Sequence, residues 1–162
     1  MRRSRLFALL FTAAIVAGAC TSAPPAPADE DAARQLMMEF FSLLHNGEYE
    51  RAAALYGGSY DELSSKNPDT DPADGAGLFR NGCTLNGYRC LKVLEAEPTD
   101  STGVDDFTFT VRFQSDDGTP FVLGPCCGAT ATEQPPVEVF RVVVHRAEDG
   151  SFLVMTLPVY VP

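Results

Sequence analysis

A chain of 162 residues is about one domain long, and 45% hydrophobic against 21% charged residues is enough apolar material to fill a core. Twelve basic against 22 acidic side chains leave a net charge of −10, and no block of Lys or Arg occurs beyond Arg5. That balance excludes a wholly disordered chain, a multi-span membrane protein and a nucleic acid partner held through its phosphate backbone.

The chain opens on Arg2, Arg3 and Arg5, followed by an uncharged run from Leu6 to Ala19. The run is shorter than the roughly 20 residues a bilayer-spanning helix needs, and its layout is that of an export leader. It closes on Val16-Ala17-Gly18-Ala19-Cys20, small residues directly before a cysteine. This resembles the lipobox of bacterial lipoproteins, although Ala17 stands where that family more often has Leu. The resemblance implies cleavage after residue 19, acylation of the Cys20 thiol with palmitate-type chains, and a protein held to a membrane on its extracytoplasmic side. Two or more acyl chains suffice for stable anchoring. Processing removes three arginines and leaves a more acidic body, which gains nothing from anionic lipid surfaces. Residues 20–28 then form the lipidated start and a tether, because Thr21 to Ala28 contains three prolines and no large apolar side chain.

A single domain is expected over residues 29–162. The acidic triplet Asp29-Glu30-Asp31 suits a helix N-terminus, and Ala33, Leu36, Met37, Phe40, Leu43 and Leu44 follow at spacings of three and four. Asn46-Gly47 ends that helix. A second, short one starts near Glu48, with Tyr49, Ala52, Ala53 and Tyr56 on one face and Gly57-Gly58 as its stop. Ser64 to Gly82 is rich in Asp, Pro, Gly and Asn and is expected to be a long loop with one helical turn at most. Strand patterns come next: Leu91 to Glu95, then Phe107, Phe109, Val111 and Phe113 alternating with Thr108, Thr110 and Arg112. Asp116-Asp117-Gly118 turns the chain into Phe121-Val122-Leu123, and Val137–His145 and Phe152–Leu157 form a closing hairpin around Glu148-Asp149-Gly150. Helices followed by antiparallel strands define an α+β domain, its N-terminal helices packed on a curved sheet.

That order, together with the small helix Asn46-Gly47-Glu48-Tyr49-Glu50-Arg51-Ala52-Ala53, resembles the nuclear transport factor 2-like superfamily. A cystatin-like α+β sheet is the alternative. The resemblance implies a cone-like domain. It also brings two classes of function: cofactor-free isomerases and dehydratases with acid and base groups inside the cone, and domains that only bind or assemble. Fold alone does not choose between them.

The residues capable of chemistry are few. His45 falls in the last turn of the first helix, where a cation meets the helix dipole, and His145 alternates onto the polar side of its strand, so neither is assigned a catalytic role. Asp69 to Gly75 has alternating oxygen donors, but its spacing is one residue too long for a calcium loop, it contains Pro72 and it lacks the closing Glu. No metal or cofactor is therefore expected. Asp105-Asp106 and Asp116-Asp117 read as turn residues.

Four further cysteines, Cys83, Cys90, Cys126 and Cys127, make an even number in an exported chain and favour two disulfides over zinc. A hairpin centred on Asn86-Gly87 would set Cys83 opposite Cys90, within bridging distance. Cys126 and Cys127 are adjacent, and a bridge between them would close a strained small ring, so their state stays open. The expected activity is binding, either of a small apolar ligand in a pocket lined by Tyr49, Tyr56, Phe109 and Phe113 or of another envelope protein. An isomerase or dehydratase would instead need a buried His or carboxylate.

Overall fold

The computed structural model describes residues 27–99 and 105–162, so the leader, Cys20 and the first part of the tether lie outside the described residues. Helix α1 (Pro27–His45) begins two residues inside the expected tether. Proline is at home there, because its ring sets a helical φ and its missing N–H is one the first turn would leave unbonded. Asp29 and Glu30 occupy the first turn, and Arg146 reaches Asp29 at 2.7 Å and Asp105 at 3.0 Å. That clamp ties the start of α1 to the far end of the sheet.

Helix α2 (Tyr49–Ala54) follows the Asn46-Gly47 stop as expected, with Gly47 at φ 76°. The segment expected to be a long loop is instead largely helical: α3 (Asp61–Lys66) and α4 (Gly75–Thr84) carry the helical part of the chain on to residue 84. Glycines at 75, 77 and 82 oppose helix formation in α4, and burial overrides them. The Asp74 side chain caps the helix by accepting from the Gly77 N–H at 2.8 Å, and Leu78 and Phe79 are fully buried. Gly82 allows close packing, since a β-carbon there would stand 2.9 Å from Leu63 Cδ2, which would have to shift.

Strands β2 (Lys92–Thr99), β3 (Asp106–Gln114), β4 (Phe140–Arg146) and β5 (Phe152–Val154) form one antiparallel sheet in chain order. The short strands β1 (Tyr88–Arg89) and β6 (Val159–Tyr160) pair separately. In the main sheet Val93 faces Phe113, Phe109 faces Val142 and Arg146 faces Phe152, with a bulge between Val93 and Glu95. Phe121 to Leu123 does not become a strand. Phe121 donates to the Phe113 carbonyl at 2.8 Å and Leu123 bridges Val137, while β4 takes β3 from Asp106 to Val111. Helix α1 lies across one face of the sheet and touches all four strands. Its Met37, Phe40, Phe41 and Leu44 meet Phe107, Phe109, Val111, Phe113, Val142 and Val144 in one core. Thr108 departs from the strict alternation of β3: it sits on the expected polar face yet is buried beneath Arg141, which donates to its hydroxyl at 3.4 Å. No helix among the described residues is long and apolar enough to cross a membrane.

Cys83 and Cys90 are bridged, with their Cα atoms 5.6 Å apart, but not across a hairpin. Cys83 lies in the last turn of α4 and Cys90 just after β1, so the bond ties a helix end to a strand. Asn86-Gly87 serves as the exit from α4, with Gly87 at φ 79° and its carbonyl accepting from the Val161 N–H at 2.9 Å. Replacing both cysteines with Ser should lower stability by about 2.5 kcal/mol, the chain-entropy value for so short a loop. Urea melts of the double variant check this, and an unchanged midpoint would show that the bridge does not restrict the unfolded chain.

Candidate functional site

The end of α2 is stitched to β5 by two backbone bonds, Val154 N–H to the Leu55 carbonyl at 2.8 Å and Gly57 N–H to the Val154 carbonyl at 3.0 Å. This places Tyr56 at the meeting point of helices and sheet. Its ring stacks on Phe40 at 5.9 Å and meets Phe79 and Tyr60 edge-on at 5.2 and 5.0 Å. Its hydroxyl donates to the Ser59 carbonyl at 3.0 Å. Gly58 allows this turn, because a β-carbon there would collide with the Tyr56 ring and the Met155 carbonyl.

Beside Tyr56 opens a cleft of about 550 Å³, walled by Asp61 and Glu62 of α3 on one side and by Met155, Thr156 and Leu157 on the other. Tyr88 donates to Glu62 Oε1 at 2.6 Å and so fixes one carboxylate against the core. Burial pushes the hydroxyls of Tyr56, Tyr60 and Tyr88 above the ordinary tyrosine range. At Tyr56 the neighbouring Tyr60 and Glu62 add to the effect, and at Tyr88 the hydrogen bond to Glu62 does. All three therefore remain protonated donors at neutral pH. The cleft combines an apolar wall with two carboxylates, which is the chemistry of recognition for a cationic group carried on an apolar body.

Of the four residues expected to line a pocket, Tyr56 alone lines this cleft. Phe109 and Phe113 are buried in the core, Phe113 edge-on to Phe41 at 4.9 Å, and they line none of the clefts described here. Tyr49 lies half-buried with the Arg80 guanidinium 5.8 Å above its ring. The structure thus brings the two phenylalanines together with α1 and leaves the two tyrosines on the helical side.

A second cleft of about 550 Å³ is lined by Asp105, His145, Arg146, Ala147, Glu148 and Gly150. His145 Nδ1 lies 2.7 Å from Asp106 Oδ1, a pairing missed because Asp106 reads as a turn residue. Asp106 is in fact the first residue of β3 and stands directly opposite His145 in register. Counting back from Phe107 opposite Val144 would have found it, had the β3–β4 pairing been recognisable. Both side chains are about 40% exposed, at 43% for His145 and 39% for Asp106, so the pair belongs to the rim of the sheet.

His45 ends α1 as expected, its Nδ1 3.1 Å from the Cys90 carbonyl. The acidic segment from Asp69 to Gly75 does local work, with Asp71 accepting from the Ala73 N–H and Asp74 capping α4. No group of three or more His, Cys, Asp or Glu among the described residues could hold a metal ion. Asp117 behaves as a turn residue, accepting from both the backbone and the hydroxyl of Thr119, which holds its carboxyl below the usual carboxylate range. No protein-family model matches the chain, and no curated protein matches it.

Proposed function

We propose that this chain is a lipid-anchored envelope protein, attached through Cys20, whose domain acts by binding a partner protein at the cleft beside Tyr56. The cone-like nuclear transport factor 2-like fold belongs to the same proposal, supported by a long helix laid across a curved antiparallel meander. The observation that carries the binding assignment is the cleft itself. It is a solvent-open concavity that combines Met155 and Leu157 with Asp61 and Glu62. Carboxylates beside an apolar wall favour a basic, amphipathic segment. The helix-covered face of the sheet is filled by phenylalanine and valine side chains, which supports a binding surface on the helical flank over one inside the sheet.

A second reading, a cofactor-free acid–base enzyme, draws on the His145–Asp106 pair. That pair sits half-exposed on the sheet rim. The buried polar side chains among the described residues are Asn67 and Thr108, neither of which titrates in the working range.

The test uses the full chain in a bacterial host, with Met155 replaced by a photo-crosslinking residue. The expected result is a membrane-bound protein whose intact mass begins at acylated Cys20, crosslinked to another envelope protein. Cys20→Ser should abolish lipidation and membrane retention, and Glu62→Lys should suppress the crosslink. A chain cleaved elsewhere without lipid would refute the anchor. A crosslink indifferent to Glu62→Lys would refute the cleft.

A further inference from the structure

The loop from Leu123 to Val137 is closed at its base by reciprocal backbone bonds of 2.9 Å between those two residues. At its tip the Cys126 carbonyl accepts from the Ala129 N–H at 3.0 Å, which makes Cys126 to Ala129 a four-residue turn. Its two central residues, Cys127 at φ 62° and Gly128 at φ 89°, are both left-handed, the signature of a primed type I turn. Glycine adopts that backbone freely. Cys127 is the only positive-φ residue other than glycine among the described residues, and cysteine has no side-chain reason to prefer the region. The Cys126 N–H donates to Gln134 Oε1 at 3.1 Å, which holds the turn against the returning limb of the loop.

The consequence of this backbone is the position of the sulfurs. Cys126 Sγ and Cys127 Sγ lie 2.7 Å apart. That is inside the roughly 3.5–4.0 Å at which non-bonded heavy atoms rest, and longer than the approximately 2.05 Å of a disulfide bond. Cys127 is exposed and Cys126 partly so, whereas Cys83 and Cys90 pack against the core. The Cys127 thiol is held above its ordinary range, because it donates to the Cys126 sulfur and because two adjacent thiolates would repel.

We propose that Cys126 and Cys127 are a reversible vicinal dithiol–disulfide couple, a site of thiol–disulfide exchange with small disulfides and thiols in the surrounding medium. In the closing step one cysteine thiolate attacks a small disulfide RSSR, forming a mixed disulfide and releasing RS⁻. The second cysteine, as thiolate, then attacks the protein sulfur of that mixed disulfide. The Cys126–Cys127 bond forms, a second RS⁻ leaves, and the two cysteine protons end on two RSH. The reverse reaction opens the ring at the expense of two RSH. The small ring stores strain and lies at the surface, so it opens under conditions in which Cys83–Cys90 stays closed.

The test equilibrates the purified full chain with glutathione buffers of stepped oxidised-to-reduced ratio, followed by acid quenching, alkylation and non-reducing peptide mapping. After the quench, the peptide containing both residues should be recovered doubly alkylated from reducing buffers and, from oxidising ones, unalkylated and closed, two hydrogens lighter than the dithiol. Its midpoint should lie at a ratio at least about tenfold more oxidising than that of Cys83–Cys90. Cys126→Ser and Cys127→Ser should each leave a single thiol that accepts one glutathione as a mixed disulfide. The proposal fails if the wild-type peptide stays doubly alkylated at every ratio, if it takes up two glutathiones, if it bridges to the Cys83 or Cys90 peptide, or if Cys83–Cys90 opens first.

Discussion

Replacing Phe109 with Ala should destabilise the domain by about 3–5 kcal/mol, since a fully buried phenylalanine loses its transfer energy and leaves a cavity behind. Phe109 is 0% exposed and sits at the centre of β3, between Pro98 of β2 and Val142 of β4. Strands on both sides and α1 above leave little freedom to collapse into the space. Thr110 next to it points to the other face, is half-exposed and donates to the Glu97 carbonyl at 3.3 Å. Thr110→Ala should cost no more than about 1 kcal/mol, the net worth of one such hydrogen bond. Denaturant melts of the pair read the alternation directly. Equal small losses would mean that β3 does not have one face in the core.

Phe40→Ala should cost as much or more, toward the upper end of about 3–5 kcal/mol. Phe40 is 0% exposed and meets three aromatic rings: Phe41 at 5.1 Å, Phe79 at 5.7 Å and Tyr56 at 5.9 Å. Each aromatic pair adds about 0.5–1.5 kcal/mol to the burial energy. A domain of ordinary stability, about 5–15 kcal/mol, loses a large share of it. Met38 on the same helix is 45% exposed, and Met38→Ala should stay within about 0.5 kcal/mol. Phe40→Ala should also loosen Tyr56 and with it the cleft, so near-UV circular dichroism should weaken before the far-UV signal does. Loss of stability with an unchanged tyrosine signal would separate Phe40 from the site.

The elements that were legible in the sequence carry strong periodicity. Met37, Phe40 and Leu44 mark α1, and Phe107, Phe109, Val111 and Phe113 mark β3, because in both cases burial selects one face. Helix α4 was not legible, since its interior glycines look like loop residues and its two anchors, Leu78 and Phe79, are adjacent rather than periodic. What holds it as a helix is a local cap from Asp74 together with a tertiary term, the full burial of Leu78 and Phe79. The Cys83–Cys90 pair was expected from a hairpin centred on Asn86-Gly87, and it forms instead between the end of α4 and the residue after β1. The site was legible only at Tyr56. Its other walls come from α3 and from Met155 to Leu157, segments that meet through the short Tyr56–Val154 bridge, a long-range contact no local pattern encodes.

The bulge between Val93 and Glu95 bears on how this protein behaves when many copies crowd together. Strand β2 stands at one margin of the sheet, where unpaired backbone groups would offer another chain a template to extend. The bulge bends that margin, Pro98 removes one N–H from it, and Lys92, Glu95 and Glu97 give it exposed charge. Each feature makes the docking of a further strand less favourable. Cross-β stacking between neighbours is thereby disfavoured at β2, by residues that contribute little to the core.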